Sequence, residues 1–209
     1  AIFVDERGEY IEGDAALAAL AAAELSAGDV TVSAVNVSQR LVDVAADVGA
    51  RLELTPIGST RLMARIRALR AAGESVPVAG EGNGGIIFPA YRLARDGAYT
   101  AAKFLELVAD RPASEVVAPY DAYENVRINV GYTSEAERDR LLEAAADYAR
   151  SADAELSTVD GYRLDFGDAW VLVRPSGTEP LVRIYAEAGT ADRAASLARV
   201  VEERVESAR

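Results

Sequence analysis

Two rhythms of apolar residues succeed each other along the first half of this chain. Short β-branched or apolar runs at 30–35, 51–54, 76–79 and 86–88 read as strands. Stretches with helical spacing at 39–48, 60–72 and 96–109 read as helices. Ser38 stands where a helix N-cap belongs, Gly49 and Gly73 where helices stop, and residues 56–59 read as a turn. Strand and helix in alternation predict an α/β domain, and ligands of such sheets bind beyond the strand ends.

Residues 110–114 and 119–125 read as a linker, and the rhythm changes beyond them. A strand at 126–130 is followed by an amphipathic helix at 134–149, opened by Ser134 and Glu137 in capping-box spacing. Strand signals recur near 155–159, 162–166, 169–173 and 181–187, and Thr190 caps a last helix running to 207. Strand, helix, several strands, helix predicts a smaller α+β domain with helices on one face of an antiparallel sheet.

Composition narrows the functional classes. The 209 residues suffice for one large or two small domains, and 50% hydrophobic residues suffice for a packed core. No apolar run reaches membrane-spanning length; the alanine-rich stretch at 15–23 is bounded by Asp14 and Glu24. Residues 1–14 carry acids where a signal peptide needs a basic start and an apolar centre, an observation that applies to this stretch alone if the chain is a fragment. Cysteine is absent, which removes disulfide frameworks and thiolate metal sites and fits a cytoplasmic location. A formal charge of −12 makes nucleic acid a poor partner. Lys103 is the sole lysine; acid excess with so little lysine fits a halophilic source or a GC-rich genome. An acidic protein that binds an anion must concentrate its cations locally, which makes Arg174 and Arg183 conspicuous.

Those two arginines flank the most informative run, Arg-Pro-Ser-Gly-Thr-Glu-Pro-Leu-Val-Arg-Ile-Tyr at 174–185. It forms a polar loop between two strand signals. A phosphate ester needs cationic donors, hydroxyl donors and free backbone N–H groups converging on one point. Arg174 supplies a planar fork, Ser176 and Thr178 supply hydroxyls, and Gly177 leaves room for the ligand and is free to take positive φ. Pro175 and Pro180 stiffen the ends. Arg183 shares a strand face with Tyr185 and Glu187. The plain alternative is a hairpin turn with an arginine paired to Glu179, which could orient Arg174 or Arg183 or be solvated.

A second loop reads Gly-Glu-Gly-Asn-Gly-Gly at 80–85. Its spacing is neither a dinucleotide fingerprint nor a P-loop. Glu81 can accept hydrogen bonds from adjacent sugar hydroxyls, and Asn83 can donate and accept. The alternative is a flexible hairpin with a solvated glutamate. Elsewhere, Arg61, Arg65, Arg67 and Arg70 read as a solvated helix face, Tyr99 and Trp170 as packing residues, and no acidic cluster has magnesium-site spacing.

Taken together, Gly80–Gly85, Phe88, the Asp-Gly-Ala-Tyr-Thr-Ala-Ala run at 96–102 and the 174–185 run resemble the alpha-D-phosphohexomutases, which include phosphoglucomutase, phosphomannomutase and phosphoglucosamine mutase. The resemblance covers almost the whole chain. It implies that 80–85 is the sugar-specificity loop of a third domain and 174–185 the phosphate-binding loop of a fourth. Residues 1–13 resemble the tail of a second domain, giving divisions at 1–13, 14–118 and 119–209. Sites implied are Arg174, Ser176, Gly177, Thr178 and Arg183 for phosphate, and Glu81 and Asn83 for sugar. Many relatives carry serine in place of Asn83 and histidine in place of Gly85; the Gly-Asn-Gly-Gly form resembles archaeal and some bacterial members.

The family's phosphoserine loop and its Asp-x-Asp-x-Asp-Arg magnesium loop have no counterpart in the sequence. The resemblance therefore implies the C-terminal half of a mutase, with hexose phosphate and bisphosphate as ligands and the N-terminal half of the same polypeptide as partner. Magnesium would be held by ligands outside this chain, and catalytic residues would lie outside it too. These residues alone would bind hexose phosphates without interconverting them. Two other readings compete: a stand-alone, non-catalytic phosphosugar-binding module, and a structural domain pair with vestigial loops.

Overall fold

The computed structural model describes all residues from Ala1 to Arg209, in two units, Ala1–Ala122 and Tyr123–Arg209. The first opens with a hairpin of β1 (Phe3–Val4) and β2 (Tyr10–Ile11), followed by α1 (Gly13–Glu24). Then come β3 (Val30–Ala34), α2 (Gln39–Val48), β4 (Arg51–Thr55), α3 (Ser59–Ala71), β5 (Ala79–Glu81), β6 (Gly85–Ile87), α4 (Gly97–Leu107) and α5 (Ala113–Val117). The sheet order is β4-β3-β5-β6, with β3 parallel to β4 and β5, and β6 antiparallel to β5.

β3 reads Val-Thr-Val-Ser-Ala and is buried at every position, as a central parallel strand covered on both faces must be. Val30 and Val32 pack with Leu62, Ile66 and Leu69 of α3. Val78 and Ile86 join the opposite cluster with α1, α2 and α4, so the sheet lies between two helical layers. The buried hydroxyls are satisfied within the sheet: Thr31 Oγ1 donates to the Val78 carbonyl at 3.0 Å and Ser33 Oγ to the Gly80 carbonyl at 2.6 Å. These bonds hold the strand that carries the glycine loop against the centre of the sheet.

Predicted caps form: Ser38 accepts from the Arg40 N–H, and Gly49 ends α2 with φ 74°. Three expectations change. The alanine run, in which the sequence shows no helical or strand period, forms α1, buried from Gly13 to Ala21. A helix buried all round has no polar face to betray its period. The linker at 110–114 and 119–125 contains α5 and a turn of 3₁₀ helix, Ala118–Tyr120, because Val116 is buried in the α1 cluster. The glycine loop is shorter than the glycine run, because Gly80 and Gly85 lie in β5 and β6.

The second unit comprises β7 (Glu124–Gly131), α6 (Glu135–Ser151), β8 (Glu155–Ser157), β9 (Tyr162–Asp165), β10 (Ala169–Pro175), β11 (Leu181–Ala188) and α7 (Ala191–Glu206). The sheet, in order β7-β11-β10-β9-β8, is antiparallel throughout. Its register separates two faces. Val171, Val173, Val182, Ile184 and Ala186 turn to one side and form a core with Leu141 and Ala145 of α6 and Leu197 and Val201 of α7. The other face carries Arg174, Arg183 and Asn129 in one row, then Leu172, Tyr185, Arg127 and Arg163, then Trp170, Glu187 and Asp165. α6 and α7 are capped by Ser134 and Thr190 as the sequence predicts. Glu137, however, reaches back to the N–H and hydroxyl of Thr133, one residue beyond the capping-box position.

The glycine loop rests on the start of α1. A Cβ on Gly13 would lie 2.3 Å from the Gly82 carbonyl oxygen and 2.5 Å from the Gly84 nitrogen. Alanine ordinarily stabilises a helix relative to glycine. Here Gly13→Ala is expected to destabilise by about 1–3 kcal/mol, since the loop backbone must move. Urea unfolding checks this as a lowered midpoint at unchanged slope.

Candidate functional site

The loop after β5 begins with Glu81, whose N–H and carbonyl belong to the strand while its side chain stands at the strand end. The Gly84 N–H donates to the Glu81 carbonyl at 3.2 Å, and Gly84 takes φ 82°. Gly82, Asn83 and Gly84 thus make a three-residue hairpin loop with a left-handed last position. Asn83 Oδ1 accepts from the Gly85 N–H at 3.0 Å, so its carbonyl serves the loop and its amide nitrogen faces outward demands. Asp14, in the first turn of α1, lies beneath: its carboxylate would be 2.1 Å from a Cβ on Gly82, and it accepts from the Ser38 N–H at 3.3 Å.

Arg95 belongs to this site and sequence reasoning missed it. Its Nη1 lies 3.5 Å from Glu81 Oε2, with the Glu81 side chain 11% exposed. Its Cδ lies 2.6 Å from where a Gly85 Cβ would be, so the arginine occupies the space that a side chain at 85 would take. Asn83, Gly84, Gly85 and Ile86 line a cleft of about 400 Å³ with Arg95, Asp96, Gly97 and Ala1. The one available signal was the helix start: Asp96, the next residue, is the N-cap of α4 and accepts from the Tyr99 N–H at 3.0 Å.

In the second unit the β10–β11 register sets Arg174 directly opposite Arg183, both on the face away from the helices. Like charges in a direct cross-strand pair repel at close range. Each is answered by a carboxylate. Arg174 Nη2 lies 3.2 Å from Asp160 Oδ2, with the two side chains 12% and 19% exposed. Arg183 pairs with Glu179, which is 54% exposed. The Tyr185 oxygen first, and Glu179 after it, raise the Arg183 pKa above the usual arginine value, so it stays charged. Glu179 thus serves Arg183, and Asp160, which sequence reasoning missed, serves Arg174. The Asp-Gly dipeptide at 160–161 was its only signal.

Ser176, Gly177 and Thr178 form the turn itself. The Ser176 N–H donates to the Leu181 carbonyl at 2.7 Å and is spent, while Gly177 and Thr178 are exposed. Gly177 does not use the left-handed region, and a Cβ there would meet nothing within 4 Å. The freedom to take positive φ is thus unused, and what glycine leaves at this position is space. Farther along the same face Trp170 Nε1 donates to Glu187 at 3.0 Å, and the Arg163 guanidinium lies 4.2 Å over the indole. Burial lowers the Arg163 pKa, against Asp165 and Glu187. Trp170 is core, as expected, and Tyr99 stacks on Tyr91 at 4.0 Å. The α3 arginines lie on an exposed helix face, as expected; Arg65 there pairs with Glu53 at 2.9 Å and Arg70 donates to the Pro89 carbonyl at 2.7 Å.

The structure thus groups Glu81 with Asn83 in one unit and Arg174 with Ser176, Gly177, Thr178 and Arg183 in the other. Residues 9–123 match the family described as phosphoglucomutase/phosphomannomutase, alpha/beta/alpha domain III, and residues 125–204 match the C-terminal domain of the same family. The chain belongs to the phosphoglucomutase/phosphomannomutase family. A phosphoglucomutase/phosphomannomutase of Thermococcus kodakarensis is 35% identical over 198 residues, covering 93% of this chain and 42% of its own length. A phosphoglucomutase/phosphomannomutase family protein from Burkholderia thailandensis shares the fold with a TM-score of 0.82 at 24% identity, over 99% of this chain and 44% of that one. Aspergillus fumigatus N-acetylphosphoglucosamine mutase, solved with GlcNAc-6P and magnesium, has a TM-score of 0.57 at 19% identity, over 98% of this chain and 49% of that one. Curated relatives include phosphoglucosamine mutases, and the chain spans less than half the length of the curated relatives it matches.

Glu179 neutralises Arg183 and is 54% exposed, so an anion arriving at Arg183 would compete with it. Glu179→Gln is expected to bind inorganic phosphate several-fold more tightly, by roughly the competition that one exposed ion pair offers. Calorimetric titration of the variant against the parent protein checks this.

Proposed function

We propose that this chain is the sugar-selecting and phosphate-binding half of a phosphohexomutase, moving phosphate between the 1- and 6-positions of a hexose phosphate. The enzyme would be of phosphomannomutase, phosphoglucosamine mutase or phosphoglucomutase type. The observation that carries the proposal is the direct cross-strand pairing of Arg174 and Arg183 beside a hydroxyl-bearing turn. A fold that keeps two guanidinium groups in register tolerates their repulsion, and a doubly charged phosphate relieves it. Family membership supports the reading, and relatives of several sugar preferences leave the hexose open.

In this proposal Arg174 and Arg183 hold the phosphate that is not reacting. Ser176 and Thr178 donate hydroxyls, and the exposed N–H groups of the turn donate as well. Glu81, steadied by Arg95, accepts from sugar hydroxyls, and the Asn83 amide nitrogen donates to the ring substituents. These contacts bind and orient; they transfer nothing. The phosphoserine and the magnesium that transfer requires belong, on the family resemblance, to residues outside this sequence. Within the chain no group of three or more acidic side chains stands close enough to hold a metal ion, so its residues do not fit that role. The partner in turnover is then the N-terminal half of the same polypeptide. No helix is long and apolar enough to cross a membrane.

In the whole protein, Arg174→Ala is expected to cut kcat/KM by roughly 100- to 1,000-fold, the loss of a buried charge-assisted donor. Arg174→Lys should also be impaired, because an ammonium cannot reproduce the planar fork. An unchanged kcat/KM would reject the phosphate assignment. Glu81→Gln is expected to lower turnover while leaving inorganic phosphate binding nearly intact; equal losses in both would reject the division of labour between the loops. Residues 1–209 alone are expected to bind hexose 6-phosphates weakly, at about millimolar Kd, and to show no interconversion in a coupled assay with magnesium and bisphosphate.

A further inference from the structure

One nitrogen in the second unit is out of place by ordinary rules. Arg174 Nε is buried and has no hydrogen-bond partner. The guanidinium around it is charged and only 12% of the side chain is exposed. A charge so placed must be compensated close by, or the side chain turns out to water. The nearby compensation is Asp160, 3.2 Å from Nη2.

How Asp160 comes to be there is also visible. It precedes Gly161 in the turn that leads into β9, and β9 pairs with β10 through Tyr162 and Val173. The next step of that register sets Gly161 beside Arg174. Gly161 takes φ 84°, and a Cβ on it would fall 2.2 Å from the Val173 carbonyl oxygen and 2.7 Å from Arg174 Cβ. Only glycine lets the turn lie this close to β10. The carboxylate of the preceding residue is thereby set against the guanidinium by backbone rather than by the drift of a long side chain.

The two carboxylates of this site therefore differ in kind. Glu179 reaches Arg183 from the exposed turn on a longer arm and is 54% exposed, open to competition from an incoming anion. Asp160 has a short arm, is 19% exposed, and sits on a turn locked to the strand. A guanidinium has five N–H donors, so a carboxylate on Nη2 leaves donors for a second anion.

We infer that Asp160 is a positioning residue that holds the Arg174 fork in place for a phosphate group, rather than a counter-ion that competes with the phosphate. This rests on the assignment of residues 174–183 to phosphate. Electrostatics alone predicts the opposite sign for its removal, since deleting a negative charge beside a cation favours an incoming anion. Burial decides between them: with little water around Arg174 to replace the carboxylate, loss of the pair releases the side chain from its geometry.

The test titrates the protein and its Asp160→Asn, Arg174→Ala and doubly substituted forms with inorganic phosphate, and follows the Arg174 Nε–H signal by NMR. Asp160→Asn is expected to bind phosphate about tenfold more weakly, with faster exchange of the Arg174 Nε proton. In the Arg174→Ala background the same change is expected to have no further effect, which a general loss of stability would not reproduce. Equal or tighter binding by Asp160→Asn overturns the inference, as does an equal loss in both backgrounds, while leaving the phosphate assignment intact. If Arg174→Ala itself binds phosphate normally, the phosphate assignment falls and this inference with it. Should Asp160→Asn not fold, Asp160→Glu keeps the charge on a longer arm. A shifted Arg174 signal with weakened binding then supports the inference, and a shifted signal with unchanged affinity overturns it.

Discussion

Two arginines held directly opposite each other on adjacent antiparallel strands are the constraint around which the second unit is arranged. Direct cross-strand neighbours cannot avoid one another, so their charges must be met from elsewhere. The answers come from two places: the turn before β9 supplies Asp160, and the β10–β11 turn supplies Glu179. The arrangement also needs a sheet with one free face. α6 and α7 both pack on the side of Val171, Val173, Val182 and Ile184, leaving the arginine face without a helix from its own unit. Farther from the turn that face closes over itself, with Trp170, Glu187 and Arg163 buried together.

The first unit solves a different problem by close packing. Its loop has few side chains of its own, so its position is set by what it touches. The small residues of α1 let the helix sink against β5 and bring Gly13 and Asp14 up under Gly82 and Gly84. On the other flank Arg95 lies across Gly85 and reaches Glu81. The absence of a side chain at 85 is thus filled from the α4 side, and a cation stands beside the Glu81 carboxylate.

Family membership and fold agree across the chain, while the relatives' names span several hexose phosphates. The proposed roles of the two loops would give that spread a physical basis. A phosphate is the same group whatever sugar carries it, so a loop that binds it needs only cations and donors at fixed spacing. A sugar is told from its epimers by one hydroxyl's direction, and in the proposed function Glu81, Asn83 and Arg95 are the side chains that would read it.

What could be read from the residues alone was whatever acts over short range along the chain. Ser38, Ser134 and Thr190 cap the helices that follow them, because a cap involves neighbours within three residues. The α/β and antiparallel halves followed from period, and the 174–185 run stood out because its arginine and hydroxyl donors are close together in sequence. Asp160, Arg95 and α1 were not legible, for one shared reason: their roles lie in contacts with residues distant in sequence. Asp160 meets Arg174 only through the β9–β10 register, Arg95 meets Glu81 only after α4 starts at Asp96, and α1 is a helix whose every face is covered by others. Local chemistry names the donors and acceptors in advance; which charges face each other is decided by strand register and by how closely backbones can approach.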